Sequence, residues 1–290
     1  MTTSAGLLAA LAPMATLIPG RRNPFGALGY GIGRRMSAGR VTGDRALLVF
    51  VPRKSRAPAA PLPRRVPGTR VPIDIVALGS NLDPDEALSL PEDSGELAAA
   101  SPLGLRSGEW QCAAGFGLPF AAPEFLVTVR HPFADLVQGT PVFSFRRRIG
   151  ELATEGVFSG RDLALIRLST NREVAASVPS GESLAGTSAA QFAHLGASLC
   201  FYSPVRGTLV RPRVIAIRVT AFLLPWAGGG TVTQEQMVMT EGATSPGDSG
   251  APLFDSAGTV LGLASFRTDQ FSFFEGVGHG RMQDLINEVG

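Results

Sequence analysis

Apolar residues fall in short runs along this chain, broken by glycine, proline and polar clusters, and runs with a helical period are scarce. Residues 46–51 form one uninterrupted apolar run and predict a buried strand, and residues 73–78 predict a second. From about residue 100 onward strand candidates recur with turn signals between them: 125–129, 142–145, 163–168, 199–202, 214–222, 236–239 and 260–266. Helical spacing is confined to the two ends. Residues 4–17 predict a short helix, and 282–289 predict a closing one, because their apolar positions return every three or four residues. Gly29, Gly31 and Gly33 predict a turn. Their spacing fits neither the dinucleotide fingerprint nor a P-loop, so a phosphate cradle is set aside. A Pro/Arg-rich loop covers 52–72. Many strands followed by one helix predict a mainly β fold of two antiparallel barrels.

Composition narrows the class without changing it. With 290 residues, 44% hydrophobic and 17% charged, the chain can bury a sizeable core and is not a disordered segment. No run approaches the roughly 20 apolar residues that span a bilayer, so no membrane partner is expected. The apolar N-terminus has no basic residues ahead of it and is interrupted by Pro13, which argues against a signal peptide. Only Cys112 and Cys200 are present, without paired metal-ligand spacing. So few cysteines fit a reducing compartment, and a cytoplasmic location is expected. Both read as buried thiols, with a bridge between them left open.

Charge is more informative by segment than in total. The net charge of +2 divides into +11 over residues 1–70 and −9 over the rest. A basic arm of this kind docks on the chain's own acidic body or meets an external polyanion. No aromatic interleaving or nucleic-acid motif accompanies the arginines, so the first reading is preferred and nucleic acid is not the expected partner. Residues 83–100 read as an acidic surface linker, and a domain boundary is placed near 98. That gives a basic extension with its linker over 1–97 and a main domain over 98–290.

The sharpest chemical signal is Pro246-Gly247-Asp248-Ser249-Gly250-Ala251-Pro252-Leu253. A serine hydroxyl is a poor nucleophile until a base takes its proton and donors stabilise the oxyanion that forms. Glycines beside it let the backbone turn so that two amides, here those of Gly247 and Ser249, point at one spot. Ala251 excludes the G-x-S-x-G elbow of the α/β-hydrolases, which needs glycine there. Upstream, the apolar run 125–129 leads into His131, and Asp162 opens Asp162-Leu163-Ala164-Leu165-Ile166-Arg167-Leu168.

Together these elements resemble the chymotrypsin-like (trypsin-like) serine peptidases, in the order His131, Asp162, Ser249 with gaps of 31 and 87 residues. G-D-S-G is that family's nucleophile motif, and the Asp162 run is close to its D-I-A-L-L-x-L pattern. The spacing is similar to that of compact bacterial members, and the first 80 residues resemble a leader found on some intracellular ones. The resemblance covers about 100–290, and implies one barrel over about 100–185 and a second over about 195–290. It implies a catalytic triad of His131, Asp162 and Ser249, an oxyanion hole of Gly247 and Ser249, and no metal or cofactor. The leader is left with three roles open: covering the cleft, docking substrate, or completing the first barrel.

The same resemblance places Ala243 at the base of the specificity pocket with Thr244 beside it, and Ser265, Phe266 and Arg267 on the strand that pairs with substrate. His279 falls near the expected pocket wall, while His194 reads as structural. No acid occupies the base, so a preference for Arg or Lys is not expected, and small or acidic residues before the scissile bond are. No activation-cleavage sequence is visible, so Asp248 must find a partner other than a freed N-terminus. The implied function is a serine endopeptidase acting on a protein substrate in processing or signalling, with a regulatory partner left open. The main alternative is a catalytically weak binding or regulatory module on the same fold. A nucleic-acid-associated protein acting through the basic arm is a third reading.

Overall fold

The computed structural model describes residues 3–20, 22–37, 40–54, 60–79, 96–118, 122–154, 160–170, 172–223 and 232–289. The N-terminal part holds helices α1 (Ser4–Ala9) and α2 (Leu11–Leu17) and strands β1 (Gly29–Ser37), β2 (Arg40–Val51) and β3 (Ile73–Ala77). The single helix expected over 4–17 is broken at Ala10: Pro13 has no N–H to continue the ladder, so a new helix starts at Leu11. Leu7, Ala10, Met14 and Ile18 still face one core, packed with Leu47, Val49 and Val51 of β2. The alternate residues Ala46, Leu48 and Phe50 enter a second core. Strand β2 is thus buried on both faces, which is why its sequence shows no alternation.

The turn expected at Gly29, Gly31 and Gly33 is instead strand β1. These glycines serve close packing between strands. A Cβ on Gly33 would lie 2.4 Å from Leu48 Cδ1, and one on Gly31 2.8 Å from Val219 Cγ2. No larger residue fits between β2 and the strand on the other side.

Strands β4 (Pro102–Gly104), β5 (Cys112–Ala113), β6 (Phe116–Leu118), β7 (Ala122–Thr128), β8 (Pro141–Ser144), β9 (Arg147–Leu152) and β10 (Ala164–Leu168) form the first barrel, in the order β5-β4-β8-β9-β10-β7-β6. The second barrel holds β11 (Gly186–Thr187), β12 (Cys200–Ser203), β13 (Thr208–Val210), β14 (Val214–Leu223), β15 (Val232–Glu241), β16 (Pro252–Phe254), β17 (Thr259–Arg267) and β18 (Phe271–Gly276). Helix α3 (His279–Asn287) closes the chain and buries Met282 and Leu285. The expected class, two antiparallel barrels with a C-terminal helix, is the observed one.

Strand β1 pairs with β14, so the leader extends the second barrel's sheet in the order β14-β1-β2-β3. Of the roles left open for it, completing the first barrel is overturned: its strands hydrogen-bond to the other sheet. The acidic segment 83–95 lies outside the described residues. Near the expected boundary, Ala98 bridges Ala175, and Ala99 and Ala100 are buried, so the chain joins the core there. Cys112 and Cys200 are buried thiols in separate cores.

Candidate active site

His131 and Asp162 meet because their strands pair. Strands β7 and β10 run antiparallel with Thr128 opposite Ala164, which sets the residues after β7 beside those before β10. His131 opens a single 3₁₀ turn, His131–Phe133. Four donors converge on the fully buried Asp162 carboxylate. Oδ1 accepts from the amides of Arg130 at 2.9 Å and His131 at 2.8 Å. Oδ2 lies 2.7 Å from His131 Nδ1 and accepts from Ser265 Oγ at 2.6 Å. An ionised carboxylate only accepts, so Nδ1 carries the hydrogen and Nε2 is the ring's acceptor.

Ser249 sits on the tight turn between β15 and β16. Gly247 and Gly250 hold φ of +91° and +95°, a region that L side chains rarely adopt. A Cβ on Gly250 would also lie 2.1 Å from the Ala113 carbonyl and 2.6 Å from Thr128 Oγ1. The turn is therefore pressed against the first barrel, where the Ala113 amide donates to the Ser249 carbonyl at 2.6 Å. The Ser249 hydroxyl donates to the Ser265 carbonyl at 3.3 Å. Ser265 thus touches both Asp162 and Ser249. Among the described residues the Gly247 amide makes no hydrogen bond, which leaves it available to an incoming oxygen.

Asp248 is fully buried, and the structure supplies its partner. Its carboxylate accepts from Ser203 Oγ at 2.8 and 3.0 Å, from the Ser245 amide at 2.7 Å and from the Val205 amide at 3.3 Å. These donors hold the nucleophile turn without a freed N-terminus. Ser203→Ala removes one buried donor and is expected to cost about 1–3 kcal/mol in chemical denaturation. It should also slow labelling of Ser249 by a fluorophosphonate probe. Unchanged labelling would show that the turn holds its shape without Ser203.

Beside Ser249 lies a cavity of only about 10 Å³, lined by Thr244, Ser245, Ser249, Ala264, Ser265, Phe266 and Arg267. Ala243 lies beneath it in the core, its amide donating to Ser272 Oγ at 2.8 Å. The Thr244 amide donates to the same oxygen at 3.0 Å. Phe266 stacks on Phe273, with ring centroids 4.4 Å apart and planes 12° from parallel. The Arg267 Nε is buried and has no hydrogen-bond partner among the described residues. His279 is not on this wall. It heads α3 and lines a separate cavity of about 590 Å³ with Phe116, Leu184, Val260 and Met282. The helix begins at His279, directly after its N-cap Gly278, which carries the histidine away from the cleft. His194 closes a local cap, its Nδ1 accepting from the Gln191 amide at 2.9 Å.

Residues 120–263 match the family model described as the trypsin-like peptidase domain, a span that contains His131, Asp162 and Ser249. Residues 120–263, just under half of the chain, form a trypsin-like peptidase domain by that match. Solved structures of that fold agree. Protease A from Thermobifida fusca superposes with a TM-score of 0.51 at 21% identity, covering 66% of this chain and 95% of that one. Nocardiopsis protease gives 0.51 at 20%, covering 66% and 97%. Cellulomonas bogoriensis chymotrypsin gives 0.50 at 19%, covering 65% and 95%. No curated protein matches the chain by sequence.

Within this trypsin-like peptidase, one group near the site escaped the sequence reading. Glu275, on β18, is fully buried and ion-paired with Arg281 of α3. Burial is the largest influence on its carboxyl and pushes its pKa up from 4.5 to about 8. Arg281 opposes that rise, the Asp162 charge adds to it, and the Asp162 amide opposes it. The available signal was an acid inside the apolar run Phe273-Phe274-Glu275-Gly276-Val277, a placement that is rare without a partner.

Proposed function

We propose that this trypsin-like peptidase is a serine endopeptidase that cuts a protein substrate through an acyl-enzyme on Ser249. The reading is carried by Ser265, which hydrogen-bonds Asp162 through its hydroxyl and Ser249 through its carbonyl, so that the orienting acid, itself bonded to His131, and the nucleophile share one junction. Ser249 Oγ attacks the scissile carbonyl while His131 Nε2 takes its proton. The imidazolium stays paired with Asp162, and the Gly247 and Ser249 amides receive the oxyanion. His131 then returns the proton to the leaving amine. Water attacks the acyl-enzyme with His131 again as base, which frees the acid and restores the serine. A fluorophosphonate probe tests this directly: labelling that requires both Ser249 and His131 supports it, and no labelling under any condition sinks it. The sparse cysteines support a cytoplasmic processing or signalling role as part of the same proposal.

A catalytically weak binding or regulatory module on this fold is favoured by one observation. The cavity beside Ser249 has room for little more than a water molecule. Under the enzyme reading Arg267 moves aside and its guanidinium meets the substrate. A cation with an unpartnered buried Nε suits an acidic side chain before the scissile bond. A peptide library should show Asp or Glu favoured over Lys or Arg there by about tenfold or more, and Arg267→Glu should reverse the order. A profile dominated by Lys or Arg in the native protein would refute the assignment.

A further inference from the structure

Behind the Asp162 carboxylate the structure builds a second charged layer that the proposed reaction does not use. Glu275 lies on β18 opposite Leu263 of β17, two residues along from Ser265. Its Oε1 is paired with Arg281, while its Oε2 is buried with no hydrogen-bond partner among the described residues. Arg281 also donates to the carbonyls of Glu235 at 3.1 Å and Gly160 at 3.3 Å. Arg161 pairs with Glu288 at the end of α3. Helix α3 therefore grips the two residues that immediately precede Asp162, from both of its ends. The charged groups acting on Glu275 are Arg281 from α3 and Arg161 and Asp162 from the segment before β10. The neighbouring strand β15 contributes neutral Gln234, whose Oε1 lies 3.4 Å from Ser265 Oγ.

We propose that Glu275, held by Arg281, is a positioning residue whose charge state reaches His131 through Asp162 and sets how strongly the imidazole binds its proton. The physical basis is reciprocity. The Asp162 charge makes Glu275 hold its proton more tightly, so a charge on Glu275 must act back on the Asp162–His131 pair by the same free energy. Near neutral pH burial favours the protonated carboxyl, and the Asp162 carboxylate contacts the ring. Above about pH 8 a second negative charge appears behind it, and the imidazolium is stabilised.

A purely structural clip makes a different prediction. The raised pKa by itself implies stability that is full below pH 4.5 and is lost as pH rises through about 8. Glu275→Gln, which mimics the protonated acid, should flatten that fall in Tm whether or not His131 senses the charge. The discriminating readout is the imidazole itself.

The inference gives His131 its catalytic meaning from the peptidase reading, but its test does not need turnover. The full chain labelled with ¹⁵N-histidine has three histidines to assign. The native His131 signal should show an inflection near pH 8, where the neighbouring Glu275 ionises. Glu275→Gln should remove that inflection and leave the spectrum below pH 6 unchanged. Arg281→Met should move the inflection to higher pH, because it removes the cation that opposes protonation. Coincident His131 curves for the native protein and Glu275→Gln from pH 5 to 10 would overturn the proposal. Parallel labelling with a fluorophosphonate separates the two readings. Shifted curves without labelling sink only the enzyme, and labelling with coincident curves sinks only the role of Glu275.

Discussion

Ser249→Ala should reduce peptide or ester turnover by about a million-fold while the protein stays folded. The substitution removes the attacking oxygen, and no neighbouring group can replace it on the constrained turn between Gly247 and Gly250. Its structural cost is small. The hydroxyl's hydrogen bond to the Ser265 carbonyl is long, 3.3 Å, and its loss should cost about 1 kcal/mol. Fluorophosphonate labelling followed by mass mapping reads the first effect, and thermal unfolding reads the second. Turnover that survives the substitution, in protein free of contaminating protease, would remove Ser249 from the mechanism.

Asp162→Asn should lower kcat by about 10⁴-fold, with much less change in KM. The reason lies in the four donors around the carboxylate. An asparagine must turn its NH₂ toward one of two sides. Facing Oδ1's partners, it meets the amides of Arg130 and His131, two donors that cannot accept. Facing Oδ2's partners, it donates to His131 Nδ1 and forces the hydrogen onto Nε2. That tautomer cannot take a proton from Ser249. The first sets donor against donor at the backbone that carries His131, so the second is favoured; it loses the base and keeps the fold, so circular dichroism should remain native while activity falls. A loss of tenfold or less would mean that Asp162 does not orient the imidazole.

The contrast between these variants and Ser203→Ala separates chemistry from support. In the proposed mechanism Ser249 supplies the attacking oxygen and Asp162 orients the base. Ser203 acts one step further out, on the carboxylate of Asp248 beneath the nucleophile turn. Its effect should therefore appear in stability first and in rate second.

Much of this molecule was readable from local pattern. The uninterrupted run in β2, the apolar strand leading to His131 and the glycines flanking Ser249 each carry their structural reason within a few residues. The glycines of β1 were misread for the same reason. Three glycines in five positions look like a turn until the partners at Leu48 and Val219 are known. His279 was misplaced because its distance from the cleft depends on where α3 starts, and helix starts are weakly encoded when no side chain caps them.

What the sequence determined by itself was therefore the candidate chemistry and the strand-rich class: a serine on a glycine turn, a histidine after a strand, an aspartate before one, in an order shared with a known family. What only the tertiary structure decided was which groups stand behind them. Ser265 meets Asp162 across 103 residues, Ser203 meets Asp248 across 45, and Arg281 reaches Gly160 across 121. The physical reason is that periodicity and turn chemistry act over a few bonds, whereas a buried polar group takes whatever partner the packed sheets deliver. Glu275 shows the difference most sharply: its letter says acid, and only its burial says that its carboxyl holds its proton more tightly than a free one.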